Sequence, residues 1–358
     1  MNFYMILSTI LIDNLFHLRK GCMLFNTSFY NPYHDKNFLE FFWQLLVRLM
    51  QGIIGQLPFD HLVSDEIQIL VLSGVAASSA LIGTFLVLRR MTMLANSLSH
   101  TILIGIVLAY FFSSAPSTGG HGLITMQAML IASLVTGFLT AFLTEFLTKT
   151  GGLQEDASVG LVFTSFFALG VILVTVLIRD AHIGTEAVMG NADALHSKDI
   201  YWVYLVLIIN LILITVFFKI FQLTTFDPYL AFALGFSPNI FNYLLMAQVS
   251  ITSITAFRAI GVILVLAFMT GPVLTARLFT HRLRTLLAYA VLIGILTACS
   301  GVALTRHILT IYGIALSTSG VVVTLILMIY LIALIIAPEQ GLFVRWVQHN
   351  KMRHSVSE

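Results

Sequence analysis

The chain has 358 residues, of which 58% are hydrophobic and only 9% are charged, and its formal net charge is +2. About a quarter of the residues of an ordinary soluble domain are charged, so this composition excludes a soluble enzyme. The small, scattered net charge also gives no indication of nucleic-acid binding. The sequence therefore predicts an integral membrane protein that contacts lipid along most of its length.

Residues 1–65 are predicted to form an N-terminal extension. Its apolar run 39–57 is interrupted by Arg48 and is therefore not a clean membrane span. This run either lies in the membrane interface as an amphipathic helix or crosses the bilayer and places the N-terminus in the cytosol. We favour the interfacial helix.

Residues 66–343 are predicted to form one transmembrane domain, followed by a cytosolic tail at 344–358. A helix needs about 20 mostly apolar residues to cross a bilayer. The residue alternation of an outer-membrane barrel is absent, so the expected fold is an all-α polytopic bundle. We count about nine spans, at 67–88, 94–113, 123–147, 158–179, 200–220, 240–257, 259–277, 286–304 and 315–336.

The basic residues of alternate loops predict the orientation of the bundle. If the loop after the first span is cytosolic, ten Lys and Arg residues lie on that side and four on the other. The positive-inside rule then places the C-terminus and the loops near residues 90, 150, 230 and 281 in the cytosol. The ten are Arg89, Arg90, Lys149, Lys219, Arg277, Arg282, Arg284, Arg345, Lys351 and Arg353, and the four are Arg179, Lys198, Arg258 and Arg306.

The second predicted span carries Asn96 and His100 near its start. Residues four apart lie one turn apart on the same face of a helix. An imidazole nitrogen and an amide oxygen can together bind a passing divalent cation. The alternative is a buried polar pair that joins helices by hydrogen bonds, although polar residues inside a bilayer are expensive and are often functional.

The predicted outer loop 180–199 is rich in carboxylates and imidazoles, among them Asp180, His182 and Glu186. Such groups suit the entrance of a cation pathway. A plain solvated loop is the alternative, since loops normally carry polar residues.

A short helix is predicted within the cytosolic loop 222–238. Asp227 can cap its free amides, Pro228 fits its first position, and Gly235 can adopt the left-handed conformation that ends it. A helix lying across the cytosolic face offers a docking surface to a partner, whereas the alternative is a surface loop that is simply well capped.

The sequence contains neither a motif for ATP binding nor the motifs of zinc or serine hydrolases. It contains no G-x-x-x-x-G-K-[ST] loop, no H-E-x-x-H and no G-x-S-x-G. The energy for any transport must therefore come from a partner protein or from an ion gradient.

Several blocks of the sequence, in order, resemble the permeases of type II ABC importers for manganese, zinc or iron. The similarity runs from about residue 67 to residue 343. The blocks are 83–91 with 96–100, 155–160, 189–191, 226–231 with Gly235, 260–261, 271–277 and 337–342.

This resemblance implies a bacterial inner-membrane permease that works as a homo- or heterodimer with two cytosolic ATPase subunits and an extracytosolic metal-binding protein. The chain would then be no enzyme itself and would hold no stable cofactor. The metal would be its substrate, and the partner subunit would use the ATP. A secondary metal transporter driven by an ion gradient is the alternative.

The resemblance also assigns roles to residues. The loop at 226–235 would be the element that couples transport to the ATPase, through Phe226, Asp227, Pro228, Ala231 and Gly235. In the family, an acidic residue and a histidine four apart on the second helix belong to the metal pathway, and these positions fall on Asn96 and His100. Since Asn96 replaces the carboxylate, this subunit would contribute no charge there, which favours a heterodimer whose partner keeps the acid.

Overall fold

The computed structural model of the protein describes residues 38–53, 63–93, 96–97, 101, 104–105, 107, 126–177 and 192–337. The described residues are helical apart from turns and short connections. The helices are α1 (Phe38–Ile53), α2 (Ser64–Leu88), α3 (Met126–Lys149), α4 (Glu155–Leu177), α5 (Ser197–Val216), α6 (Phe218–Phe226), α7 (Pro228–Ala233), α8 (Pro238–Ile260), α9 (Val262–Phe279), α10 (Leu283–Tyr312) and α11 (Thr318–Ile336).

Helix α2 forms the centre of the bundle. In its most apolar 18-residue window 89% of the residues are buried, against 17% in the corresponding window of α11. It packs on α5, α8, α9 and α10. A Cβ atom placed on Gly83 would lie only 2.0 Å from the carbonyl oxygen of Met269 in α9, so the two backbones touch at this crossing. Such close packing suits a bilayer, where no hydrophobic force draws helices together.

A hydrogen-bonded polar cluster joins three helices in the buried core. The Nδ2 group of Asn210 in α5 donates to Ser78 Oγ of α2 at 2.8 Å and to Thr252 Oγ1 of α8 at 2.7 Å. Asn210 is almost fully buried. Because an unpaired amide would be costly in hydrocarbon, this cluster fixes the three helices relative to one another.

Six helices within the described ranges are long and apolar enough to cross a membrane, namely α2, α5, α8, α9, α10 and α11. Helices α3 and α4 lie where the spans 123–147 and 158–179 are predicted. Most of the predicted span 94–113 lies outside the described residues. The all-α transmembrane fold is thus confirmed, while the count of nine spans stays a prediction.

The connection between α8 and α9 differs from the expected one. The sequence places the break around Arg258, but the structure places it at Gly261, and Arg258 lies in the last turn of α8. Gly261 has φ 86° and ψ 161°, a conformation that costs glycine little and other residues much. A single residue therefore suffices to end one helix and begin the next.

Polar contacts identify the two ends of the bundle. At one end the first turn of α2 meets the last turns of α10, because Asp65 Oδ2 lies 3.3 Å from Arg306 Nε. At the opposite end Arg89, just after α2, contacts the end of α6 and the start of α8. We name these the outer end and the inner end, following the orientation that the basic residues predict.

Candidate functional site

The inner end of the bundle carries the capped short helix that the sequence predicts. The side chain of Asp227 accepts a hydrogen bond from the backbone amide of Leu230 at 2.9 Å, and Pro228 is the first residue of α7. After the helix, Gly235 has φ 86°, and the amide of Phe236 donates to the carbonyl oxygen of Ala231 at 3.0 Å. The predicted cap, first position and left-handed glycine are therefore confirmed.

Around α7 the large apolar side chains are exposed, although the surrounding loop is predicted to lie in the cytosol. Tyr229 is 87% exposed and Phe232 is 73% exposed, and residues three apart share a face of a helix. Ala231, by contrast, is fully buried and anchors the helix on the bundle. We name four of these exposed side chains the coupling patch: Phe226, Tyr229, Phe232 and Leu234. Clustered exposed apolar groups of this kind are typical of surfaces that another protein or a membrane covers.

Of the residues expected to hold the metal, the structure describes only Asn96. Its side chain is exposed, whereas Ser97 and Thr101, which share a face one turn apart, are buried. Asn96 thus differs in exposure from Ser97 and Thr101, the nearest described residues of the same segment. His100 lies outside the described residues, so the expected pairing of the two side chains stays a prediction. Within the described ranges, no group of three or more His, Cys, Asp or Glu side chains is arranged to hold a metal ion.

The expected outer entrance, Asp180, His182 and Glu186, also lies outside the described residues. The part of this loop that is described uses its carboxylates for structure. Asp193 accepts hydrogen bonds from Gln68 Nε2 at 3.2 Å and from the hydroxyl of Thr318. Asp199 accepts one from the backbone amide of His196 at 3.0 Å and so caps the start of α5. Asp193 and Asp199 therefore contribute to the fold, while the entrance at Asp180, His182 and Glu186 stays a prediction.

Two further carboxylates, which the sequence analysis does not single out, are buried at the outer end. Asp65 faces Arg306, and Glu66 forms an ion pair with Arg48 of α1. Glu66 also accepts a hydrogen bond from the backbone amide of Val63 at 3.0 Å. Two adjacent acidic residues at the start of an apolar span, with Arg306 near the end of another, are the sequence signal for these pairs, since buried charges require partners.

Comparison with known proteins places most of the chain in one family. Residues 67–337 match the ABC 3 transport family. A protein of Chlamydia trachomatis described as "probable metal transport system membrane protein" is 42% identical over 307 residues, which cover 85% of this chain and 93% of the relative. The manganese transport system membrane protein MntD of Bacillus subtilis is 36% identical over 302 residues, covering 78% of this chain and 94% of the relative.

Among solved structures, PsaBC from Streptococcus pneumoniae in complex with a Fab resembles this fold. The TM-score is 0.64 at 25% sequence identity, and the match covers 82% of this chain and 97% of that one. The similarity therefore extends over almost the whole of that chain.

Proposed function

Because the chain belongs to the ABC 3 transport family, we propose that it is the membrane-spanning permease subunit of an ATP-driven importer. Its substrate is a divalent transition metal, manganese, zinc or iron, which it moves across the bacterial cytoplasmic membrane. The relatives named for metal transport support this substrate class. The coupling patch is the observation on this chain that carries the proposal, since a secondary transporter has no need of an exposed apolar helix on its cytosolic face.

The coupling patch would receive a cytosolic ATPase subunit. Tyr229 and Phe232 provide large apolar contacts, and the capped helix α7 holds them in a fixed place. Aromatic side chains of this kind commonly dominate the binding energy of an interface. ATP hydrolysis belongs to that partner, and the present chain makes and breaks no bond.

The metal would pass His100 and Asn96 on the second span, after entering near Asp180, His182 and Glu186. The exposure of Asn96 supports this pathway, because a second permease subunit can reach an exposed position. Imidazole nitrogen and neutral oxygen bind divalent transition metals without a full charge. A related partner permease with a carboxylate at the equivalent position would complete the site, and an extracytosolic metal-binding protein would deliver the ion.

Helix α1 would lie flat on the outer face as an interfacial helix of the N-terminal extension. Two residues of α1, one at its start and one in its second half, contact the same end of the bundle: the ring of Phe38 lies 6.3 Å from that of His307, and Arg48 pairs with Glu66. His307 and Glu66 are the chain neighbours of Arg306 and Asp65, which pair at the outer end. A helix that crossed the membrane would instead meet residues at increasing depth.

Uptake of radioactive manganese, zinc and iron into proteoliposomes tests this function. The vesicles contain this chain with its candidate partner permease, the ATPase and the loaded binding protein, with and without internal ATP. We expect ATP-dependent uptake that Tyr229→Ala with Phe232→Ala abolishes and that His100→Ala abolishes while ATP hydrolysis continues. Tyr289→Ala, which removes a half-exposed tyrosine from α10, is the matched control and should transport normally. Uptake that ignores ATP and follows a proton or sodium gradient would establish the secondary transporter instead.

A further inference from the structure

One arginine at the inner end joins three segments of the chain. Arg89 donates hydrogen bonds from Nε to Thr225 Oγ1 at 3.1 Å, from Nη2 to Thr224 Oγ1 at 3.0 Å, and from Nη1 to Asn242 Oδ1 at 3.1 Å. Thr224 and Thr225 lie in the last turn of α6, and Asn242 lies in the first turns of α8. The guanidinium group thus holds α6 and α8 against the C-terminal end of α2.

Two of these three segments, α6 and α8, flank α7 along the chain. α6 runs into α7 with only Asp227 between them, and a short turn leads from α7 into α8. Both chain connections of α7 are therefore tied to the same side chain. If a bound ATPase displaces α7, the residues that contact Arg89 must move as well, because they lie only a few residues before and after α7.

Aromatic packing stiffens the same junction. The ring of Phe85 in α2 lies 5.4 Å from that of Phe221 in α6, which in turn lies 5.7 Å from that of Phe241 in α8. Phe85 and Phe221 are fully buried. Close-packed interiors transmit displacement rather than absorb it. The aromatic contacts resist compression, while the hydrogen bonds of Arg89 resist separation and sliding.

From this geometry we propose that Arg89 is a positioning residue for transport, which passes the movement of α7 to α2 and α8. This inference rests on the proposed function, because it requires an ATPase that moves α7. The planar guanidinium fork reaches three acceptors in fixed directions. The compact ammonium group of lysine cannot reproduce that geometry, so Lys at this position keeps the charge but loses most of the tie.

A purely structural role predicts a different result. If Arg89 only held the fold together, its loss would lower the amount of folded complex, and ATP hydrolysis and uptake would fall in parallel. If it transmits movement, the ATPase still docks and hydrolyses ATP, but less metal crosses per ATP consumed. The ratio of metal transported to ATP hydrolysed separates the two roles.

The test measures this ratio for Arg89→Gln and Arg89→Lys in the reconstituted complete transporter. Arg90→Gln is the matched control, because it removes one positive charge from the adjacent, exposed position. Coupling free energies between sites commonly correspond to about 5- to 150-fold effects, so we expect Arg89→Gln to lower the ratio about tenfold or more. Arg89→Lys should show most of that loss, and Arg90→Gln should match the wild type.

A second variant guards against failure of Arg89→Gln to fold. Asn242→Ala with Thr224→Val keeps the arginine and removes two of its acceptors, and it should lower the ratio in the same direction. If the ratio of metal transported to ATP hydrolysed is unchanged in both variants, including the case in which hydrolysis and uptake fall in parallel, the inference is overturned. The proposed function would still stand in that case, because the wild type would transport metal. Absence of ATP-dependent uptake in the wild type would instead overturn the proposed function.

Discussion

The carboxylate of Asp65 and the guanidinium of Arg306 join the first turn of α2 to the last turns of α10, with 3.3 Å between Oδ2 and Nε. Both side chains are largely buried, at 11% and 19% exposure. A charge in such a place is tolerated only with a partner, so each of the two residues depends on the other. Charge therefore helps to hold the outer end of the bundle, whereas close packing and the hydrogen bonds of Asn210 hold its middle.

The Asp65 and Arg306 pair should show strong energetic coupling. We expect Asp65→Ala and Arg306→Ala each to lower the free energy of unfolding, and the double variant to lose less than the sum, with a coupling of about 1 to 3 kcal/mol. SDS titration of the purified protein in mixed micelles measures these energies. Strict additivity of the two losses would show that the two side chains do not stabilise each other.

Any side chain at Gly83 should destabilise the bundle. In Gly83→Ala the new methyl group would lie 2.0 Å from the carbonyl oxygen of Met269, so α2 and α9 must separate. Overpacking of this kind commonly costs about 1 to 3 kcal/mol, and we expect a loss of unfolding free energy in that range. Gly320→Ala, at an exposed helical position with nothing within 4 Å, is the control and should be neutral or stabilising. Equal stability of the two variants would contradict the close contact.

Asp227→Ala should loosen α7 without unfolding the bundle. It removes the acceptor of the Leu230 amide, and loss of an N-cap commonly costs about 1 kcal/mol. Hydrogen exchange of the amides at 229–231 should therefore become several times faster, about fivefold for 1 kcal/mol, while exchange in α2 stays unchanged. Asp227→Asn keeps an oxygen acceptor and should exchange like the wild type. A variant without the cap but with unchanged exchange would show that packing alone holds the helix.

Asn96→Asp should strengthen metal binding by the permease pair. A carboxylate oxygen adds charge to the coordinating group, and we expect the affinity for Mn²⁺ to rise about tenfold, which corresponds to about 1.4 kcal/mol. Equilibrium dialysis of the purified complex with radioactive manganese, without the binding protein, measures this. Asn96→Leu has a similar volume and no ligand atom and should weaken binding. Identical affinities in all three proteins would remove Asn96 from the pathway.

The sequence predicts well those features that depend only on neighbouring residues, such as helix caps and helix ends. Asp227, Pro228 and Gly235 each act within a few residues of chain, so the cap, the first position and the end of α7 follow directly from residue type. Apolar length likewise predicts that α2 and α10 exist, but the spans 67–88 and 286–304 begin three residues after the observed helices, and the second ends well before Tyr312. The sequence places the break between α8 and α9 at Arg258, three residues before its observed position at Gly261. A hydropathy count ends a span at a charged residue, whereas the helix itself ends at the glycine.

The contacts between distant segments are the part that sequence leaves open. Arg89 reads as one of several cytosolic positive charges, and only the fold shows that Thr224, Thr225 and Asn242 converge on it. Asp65 and Arg306 are separated along the chain by most of the bundle, so their pairing depends on how α2 and α10 pack. Residue type indicates that such groups need partners, but it does not identify which partners the topology supplies.

The contact between Gly83 and Met269 gives α2 the geometry of a lever. With a rise of about 1.5 Å per residue, Gly83 lies about 9 Å from Arg89 and about 27 Å from Asp65 along the helix axis. If α2 tilts as a rigid rod about this crossing, a displacement of about 1 Å at the short arm becomes one of about 3 Å, in the opposite direction, at the long arm. Under that condition, a push at the inner end moves Asp65 relative to Arg306 at the outer end, so the ion pair would respond to ATPase movement about 36 Å away along the helix.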